Sequence, residues 1–408
     1  LRDGDTNTKI LPPILKLVLK HSQNLRLILL SATPMFDKPR DIISLLNYLL
    51  YNDNRAPIDT KKVFEKDGSL KPNGEKILTD AVKGYISYMR GNNPFHFPIR
   101  ISAKENIPNK MLNLSKYPTL NITGTEKLDD KIKHMDIVDC PFGKYQQELF
   151  NQYLKSKNTP TSKSEEDLVN DVDFSPSVFY SSELQISNFI YQNLEEVSGN
   201  ISLCYSEKGL DQIANKMPGK MTYKFKNDNY YKRFQLPELK KWGTKIASIV
   251  ENVQKAKGPV FIYASYIPSG VIPLAFALEM AGYKRYKQYS TPLLEDKHKD
   301  KNYKGDYIIY TGDEKLSTYA KHFIDMRKGM INEDKVKILI GSRKASEGLN
   351  LYGFREVHVL DPWHNMSVLE QSIGRAIRRG SHNHLPPQER NVAVYLYAST
   401  LNDKREST

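Results

Sequence analysis

The chain has 408 residues and a formal net charge of +13, from 60 lysines and arginines against 47 acidic residues. Such a length suits two or three domains with cores of their own, and the charge favours a polyanionic partner such as nucleic acid, although a merely basic surface gives the same number. Two cysteines, Cys140 and Cys204, without a CxxC spacing, exclude a disulfide framework and a cysteine metal site and fit a reducing compartment; the longest apolar stretch, Val271 to Gly282, is too short to span a bilayer.

In chain order, Ile14 to Lys20 predicts a helix, and the apolar run LRLILL, Leu25 to Leu30, predicts a buried parallel strand ending at Ser31-Ala-Thr-Pro34. Ile42, Ile43, Leu45, Leu46, Leu49 and Leu50 then form one broad face of a second helix. Residues 51–235 are rich in Asn and Lys and carry few strand signals, so they read as a mostly helical insertion, with Lys155 to Asp167 a solvated loop. From Leu236 onward helices and strands alternate: helix Leu239 to Gln254, strand Gly258 to Tyr263, helix Pro268 to Ala281 and strand Tyr307 to Thr311 come first. Helix Ser317 to Met330, strands Val336 to Gly341 and Glu356 to Leu360, helix Ser367 to Arg379 and strand Val392 to Ala398 complete the series. Short apolar strands joined by crossover helices predict an α/β fold with an open parallel sheet, whose ligands lie beyond the carboxyl ends of the strands.

The segment QSIGRAIRRGSH, Gln371 to His382, crowds three arginines into five positions. Ser367-Val-Leu-Glu370 reads as a capping box that starts its helix. On an ideal helix Leu369, Ile373 and Ile377 share one face, while Gln371, Arg375 and Arg378 fall at about 0°, 40° and −20° of the other. Gly374 leaves room for a partner and Gly380 suits the helix stop. Two planar, permanently charged guanidiniums aimed at one point fit a triphosphate and the charge that develops in phosphoryl transfer. The ordinary reading is solvated surface charge or pairing with carboxylates.

With QxxGRxxR placed after a strand and a helix start, the chain resembles superfamily 2 helicase-type ATPases. Gln371 to Arg378 resembles their motif VI, Ser31-Ala32-Thr33 motif III, Gly341 to Leu351 motif V, and GPVFIYASY motif IV. The span Asp361 to His382 is similar to the Swi/Snf-like branch, in which a DPxWN-type element precedes motif VI. Gly84 to Gly91, followed by Phe97-Pro-Ile-Arg100, resembles the helicases of large cytoplasmic DNA viruses, closest to the small subunit of the poxvirus early transcription factor. The resemblance implies a second RecA-like core over 236–408, a remnant of a first core over 1–50 and a bridging region over 51–235. It implies ATP with Mg²⁺ as cofactor, with Arg375, Arg378 and Gln371 catalytic. Gly374, Gly348, Glu347, Asn350, Ser31, Ala32 and Thr33 are then in nucleotide binding or coupling, and Ser342, Arg343, Lys344, Tyr263 and Ser265 on nucleic acid. The implied partners are DNA, or RNA, and a transcription-factor large subunit or viral RNA polymerase, in the host cytoplasm and the virion.

The departures are absences. No GxxxxGK[ST] loop occurs: Gly143-Lys144-Tyr145 and Gly219-Lys220-Met221 lack the hydroxyl and the upstream glycine. Nor is there a strand-end DEAH; Asp313-Glu314 follows a strand of the second core and reads as an ordinary loop acid pair. Relatives continue from the DEAH box into "LR", and this sequence opens LRDGD, so it is expected to be the C-terminal portion of a larger enzyme. The phosphate-cradling amides, the lysine and the Mg²⁺-binding acid would come from an N-terminal helicase core, and the chain alone should not hydrolyse ATP.

Remaining signals leave alternatives open. Glu347 and Asn350 could touch ribose or backbone, or simply cap a loop. His382 and His384 lack a third ligand, so no metal site is expected. Thr222 to Phe234 and Tyr283 to Tyr289 interleave lysine with tyrosine, which suits base stacking and equally suits snorkelling beside half-buried rings. Trp363 is expected to pack between cores. A helicase-like scaffold without catalysis, or an RNA helicase or chromatin-type translocase of the same superfamily, stands beside the DNA-dependent ATPase reading.

Overall fold

A computed structural model describes residues 11–31, 34–35, 39–65, 68–87, 96–113, 117, 119, 136–157, 181–286, 291–317, 336–346, 349, 351–361 and 366–401. The chain divides into two compact units, Leu1–Asn92 and Asn93–Thr408. The resemblance places boundaries after residues 50 and 235; the division into compact units falls between Asn92 and Asn93.

In the first unit, helices Leu11–His21 and Asp41–Asn52 pack together. A small core of Ile43, Val63 and Phe64 is closed by Ile42, Ile58, Ile77 and Leu78. The Asn47 amide donates to the Ile58 carbonyl at 3.0 Å and accepts from its N–H at 2.7 Å, fixing the chain after the second helix. Residues 25–30, predicted as a buried strand, pair with no strand among the described residues. Ile28 is 79% and Leu30 93% exposed.

The second unit is built on an eight-stranded sheet, ordered β1-β11-β10-β5-β9-β8-β6, with β2 also against β11. The strands are β1 Ile99–Ser102, β2 Ile137–Pro141, β5 Val260–Tyr263, β6 Tyr283–Arg285, β8 Gly305–Tyr310, β9 Val336–Gly341, β10 Glu356–Val359 and β11 Asn391–Thr400. Every pairing in it is parallel. That explains the continuous apolar runs: β5 is buried at every position and β9 at all but Lys337, because both faces are covered. The predicted parallel α/β sheet is thus the observed one. Strand Glu356 to Leu360 ends one residue earlier, and Val392 to Ala398 extends at both ends.

Part of the supposed insertion belongs to this sheet. The long strand β11 meets β1 along Asn391 to Val394 and β2 along Leu396 to Thr400, so two short segments from before residue 142 lie end to end on its outer edge. Helices Lys144–Lys157 and Ser181–Asn188 follow. The buried Gln146 amide ties them to helix Thr244–Val253: it donates to the Ile186 carbonyl at 2.9 Å and accepts from Thr244 N–H at 3.1 Å. A small second sheet joins β3 Ala214–Lys216, β4 Tyr223–Phe225 and β7 Leu294–Glu295. It is pinned by Glu279, buried on helix Ile272–Met280, which accepts from the N–H groups of Leu293 and Leu294, Lys299 Nζ and the Tyr307 hydroxyl. With four donors on two oxygens, this buried carboxylate is structural.

Among the described residues no helix is long and apolar enough to cross a membrane.

Candidate functional site

The carboxyl ends of β5, β9 and β10 lie side by side, with Tyr263 paired to Gly341 on one flank and to Val359 on the other. Past the last rungs, Ala264 N–H donates to Gly341 O and Leu360 N–H to Tyr263 O, both at 2.9 Å. The three chains therefore leave the sheet as one edge, carrying Ser265, Ser342 to Lys344, and Asp361. Gly341 makes the sharp exit possible: a Cβ there would stand 2.4 Å from the Ala345 methyl and 2.8 Å from the Phe261 ring. The turn Arg343–Ser346 that follows leaves Arg343 and Lys344 exposed while Ser342 is buried.

Asp361 organises this edge from beneath. Fully buried, it accepts from Ser265 N–H at 2.7 Å, from the Tyr266 N–H and from Asn188 Nδ2 at 2.9 Å. Burial raises its pKa, opposed by the nearby Lys245 charge and these hydrogen bonds. Lys245 is itself buried, donates to Ser187 Oγ at 3.0 Å, and has its pKa pushed down to about 8 by burial. A carboxylate in such a place is tolerable only because donors surround it. Sequence reasoning singled out neither Lys245 nor Asn188; both come from helices whose amphipathic pattern gives no sign that a polar residue points inward.

The arginine segment departs from the helical expectation. Helix Met366–Ile373 stops before Arg375. Gly374 N–H makes the last i→i−4 bond, to Glu370 O at 2.8 Å; Arg375 and Ala376 N–H then reach back only three residues, to Ser372 and Ile373. The competitor that ends the helix is the segment from Gly341 to Leu351 and its continuation. Leu351 N–H takes the Arg375 carbonyl at 3.0 Å, Gly353 N–H the Ser381 carbonyl at 2.9 Å, and Arg375 Nη1 donates to Leu349 O at 3.5 Å. The predicted common face for Gln371, Arg375 and Arg378 thus does not exist as helix geometry. Gln371 stands on the helix, and Arg375 and Arg378 on turns tied to residues 349–353; all three are half-buried. Leu369 and Ile373 do go into the core, and Gly380 turns the chain at φ 76°. Beyond it, His382 is buried, with Nε2 2.8 Å from Phe354 O and Nδ1 2.9 Å from Ser381 Oγ. The carbonyl can only accept, so Nε2 carries the hydrogen. Burial pushes the His382 pKa down to about 4, which marks a neutral, structural imidazole.

Other expected residues fall as follows. Ala32, Thr33, Glu347, Gly348, Asn350 and Trp363 lie outside the described residues, as do residues 318–330 of the helix predicted over Ser317 to Met330. Ser31 is exposed, in the first unit. Tyr263 is 1% exposed, so it brings its backbone rather than its ring to the edge. Glu370, read as a capping-box acid, accepts instead from Arg100 Nη1 at 3.0 and 3.1 Å. Asp313 caps a turn, accepting from the N–H groups of Lys315 and Leu316. Of the tyrosine–lysine stretches, Tyr223 and Phe234 are buried, and Arg233 lies over the Tyr230 and Trp242 rings at 4.4 and 4.2 Å, a core arrangement. Cys140 and Cys204 are buried free thiols. No metal-binding group of three His, Cys, Asp or Glu occurs among the described residues.

Residues 294–380, from β7 through the arginine turns, match the helicase conserved C-terminal domain. The second unit is thus similar, over these residues, to the C-terminal core of helicase-type proteins. Over 396 residues the chain is 26% identical to a candidate ATP-dependent RNA helicase of Acanthamoeba polyphaga mimivirus, covering 94% of this chain and 56% of that protein. It is 23% identical over 407 residues to an early transcription factor large subunit homolog of African swine fever virus, covering 93% and 34%. A termination factor NPH-I homolog of the same virus matches at 29% over 185 residues, 39% of this chain and 26% of that one. The chain is similar to these viral proteins and spans from about a quarter to a little over half of their length. A Sulfolobus solfataricus SWI2/SNF2 ATPase core with dsDNA superposes with a TM-score of 0.31 at 14% identity, covering 64% of this chain and 40% of that one. That score is too low to bear weight, and the fold rests on the strand order itself.

Proposed function

We propose that this chain is the C-terminal part of a nucleic-acid-dependent ATPase of a large DNA virus that acts in transcription, and that it supplies the arginine side of an ATP site. The observation that carries this is the lacing of the arginine turns to the motif V loop at the carboxyl edge of the parallel sheet, where open α/β sheets bind ligands. Arg375 and Arg378 fit the phosphate end of ATP: each is a half-buried, permanently charged fork with its backbone anchored within the fold. Gln371, Gly374, Gly348, Glu347 and Asn350 complete the nucleotide side. ATP bound with Mg²⁺ supplies the phosphoanhydride whose cleavage drives the cycle, and a P-loop and acidic box of the longer protein hold it from the opposite side. Arg375 and Arg378 neutralise charge on the transferred phosphoryl group. Ser342, Arg343, Lys344 and Ser265 meet nucleic acid, and Ser31, Ala32 and Thr33, in a remnant of the first core, couple the two events.

The complete protein should hydrolyse ATP only when nucleic acid is present, and this chain alone should not. Steady-state ATPase assays with duplex DNA, single-stranded DNA and RNA check both. Turnover by the isolated chain, or a complete protein silent with every nucleic acid, would overturn the reading; the second outcome leaves a binding scaffold.

A further inference from the structure

The opposite edge of the sheet holds a cleft. It opens at the amino ends of the central strands, among the loops that enter β5, β10 and β11, and has a volume of about 330 Å³. Its wall includes Lys257, Gly258, Lys337, Arg355, His384 and Glu389. This is the size range of a small-ligand site.

Two glycines shape the basic lining. A Cβ at Gly258 would meet Arg355 Cγ at 2.4 Å, and one at Gly305, which has φ +134°, would meet Lys337 Cγ and Cδ at 2.9 Å. Both basic stems thus lie flat on glycine backbone. The Arg355 fork is already committed: Nη1 pairs with Glu389 at 3.1 Å, Nη2 donates to Asn391 Oδ1 at 3.0 Å and Nε to Asn391 O at 3.2 Å. Arg355 and Glu389 cancel within the wall. Lys257 and Lys337 do not, since both are exposed and neither ammonium has a hydrogen-bond or ion-pair partner among the described residues. His384 stands exposed at the rim.

We propose that this cleft binds a phosphate group, taken either from a free nucleotide-sized anion or from a nucleic-acid backbone, with Lys257 and Lys337 as its charge partners. Two hydrated ammoniums beside a rigid, internally neutralised arginine suit an anion with several acceptor oxygens. A neutral or cationic ligand would leave both lysine charges unanswered. The site lies on the edge remote from Ser265, Ser342 and Asp361, so it is separate from the ATP site proposed above and does not depend on it.

The test is residue-resolved lysine acetylation of the complete protein, read by mass spectrometry, because phosphate probes would also occupy an ATP site elsewhere. Inorganic pyrophosphate, adenosine monophosphate and a single-stranded oligonucleotide are the probes. At least one should slow acetylation of both Lys257 and Lys337 severalfold while leaving Lys216 and Lys220 unchanged. Protection by pyrophosphate or the monophosphate identifies a free anion as the ligand; protection by the oligonucleotide alone identifies a nucleic-acid backbone. Lys257→Glu with Lys337→Glu, both exposed positions, should weaken binding of the protecting probe at this site, while Lys216→Glu with Lys220→Glu should not. Unprotected lysines with all three probes, or equal loss in the two double variants, would overturn the proposal.

Discussion

Two apolar runs of six residues, LRLILL at 25–30 and VKILIG at 336–341, carry much the same message in sequence and meet opposite fates. In the second, Ile338, Leu339 and Ile340 are wholly buried between β5 and β8. In the first, Ile28 and Leu30 stay open. An apolar run states a demand for burial; neighbouring strands decide whether it is met. Domain-level reading therefore depends on partners that a run cannot name.

The contrast can be broken by substitution. The largest effect is expected at the polar keystone rather than in either run. Asp361→Ala strands the Ser265 and Tyr266 N–H groups, the Asn188 amide and the Lys245 charge, and should cost about 3–5 kcal/mol in chemical denaturation. A loss within about 0.5 kcal/mol, typical of an exposed position, would show that the edge is not organised from below. Next comes the direct comparison. Ile340→Ala should cost about 2–5 kcal/mol, and Ile28→Ala in this chain no more than about 0.5; equal losses would mean that the 25–30 run is buried after all.

A pH profile sharpens the same contrast inside the second unit. His382 has a pKa of about 4 when folded against 6.5 ordinarily, so between those values the unfolded chain binds a proton that the fold refuses. Its contribution is intact above about pH 7 and declines as pH falls through 6.5. The loss levels off near pH 4, at about 3 kcal/mol at most. Urea midpoints of wild type and His382→Gln, measured from pH 7 to 4.5, should converge as the pH drops. Parallel curves would show that the imidazole titrates freely.

Much of the second unit was legible because parallel strands buried on both faces write themselves as short runs of Val, Ile and Leu. What escaped has physical causes. β1 and β2 are four and five residues long and carry Arg100, Asp139 and Cys140, so their pairing is set by the exposed edge of β11 and not by their own pattern. The helix through Arg378 failed because a loop from elsewhere in the sequence claims the Arg375 and Ser381 carbonyls, and no local propensity reports such competition. Lys245 and Asn188 were hidden for the same reason: their burial is decided by Asp361 and Ser187. The motif spacing around Gln371 singles out a segment, and the geometry of that segment belongs to tertiary contacts.

The central claim is that the turns bearing Arg375 and Arg378 form one side of a nucleotide site. It is met most directly by measuring, on one preparation of the complete protein, ATP turnover and nucleic-acid affinity for Arg375→Ala and Arg378→Ala. Turnover should fall by about 10³-fold or more in each variant, with nucleic-acid affinity nearly unchanged. Unaltered turnover in either variant would contradict the account.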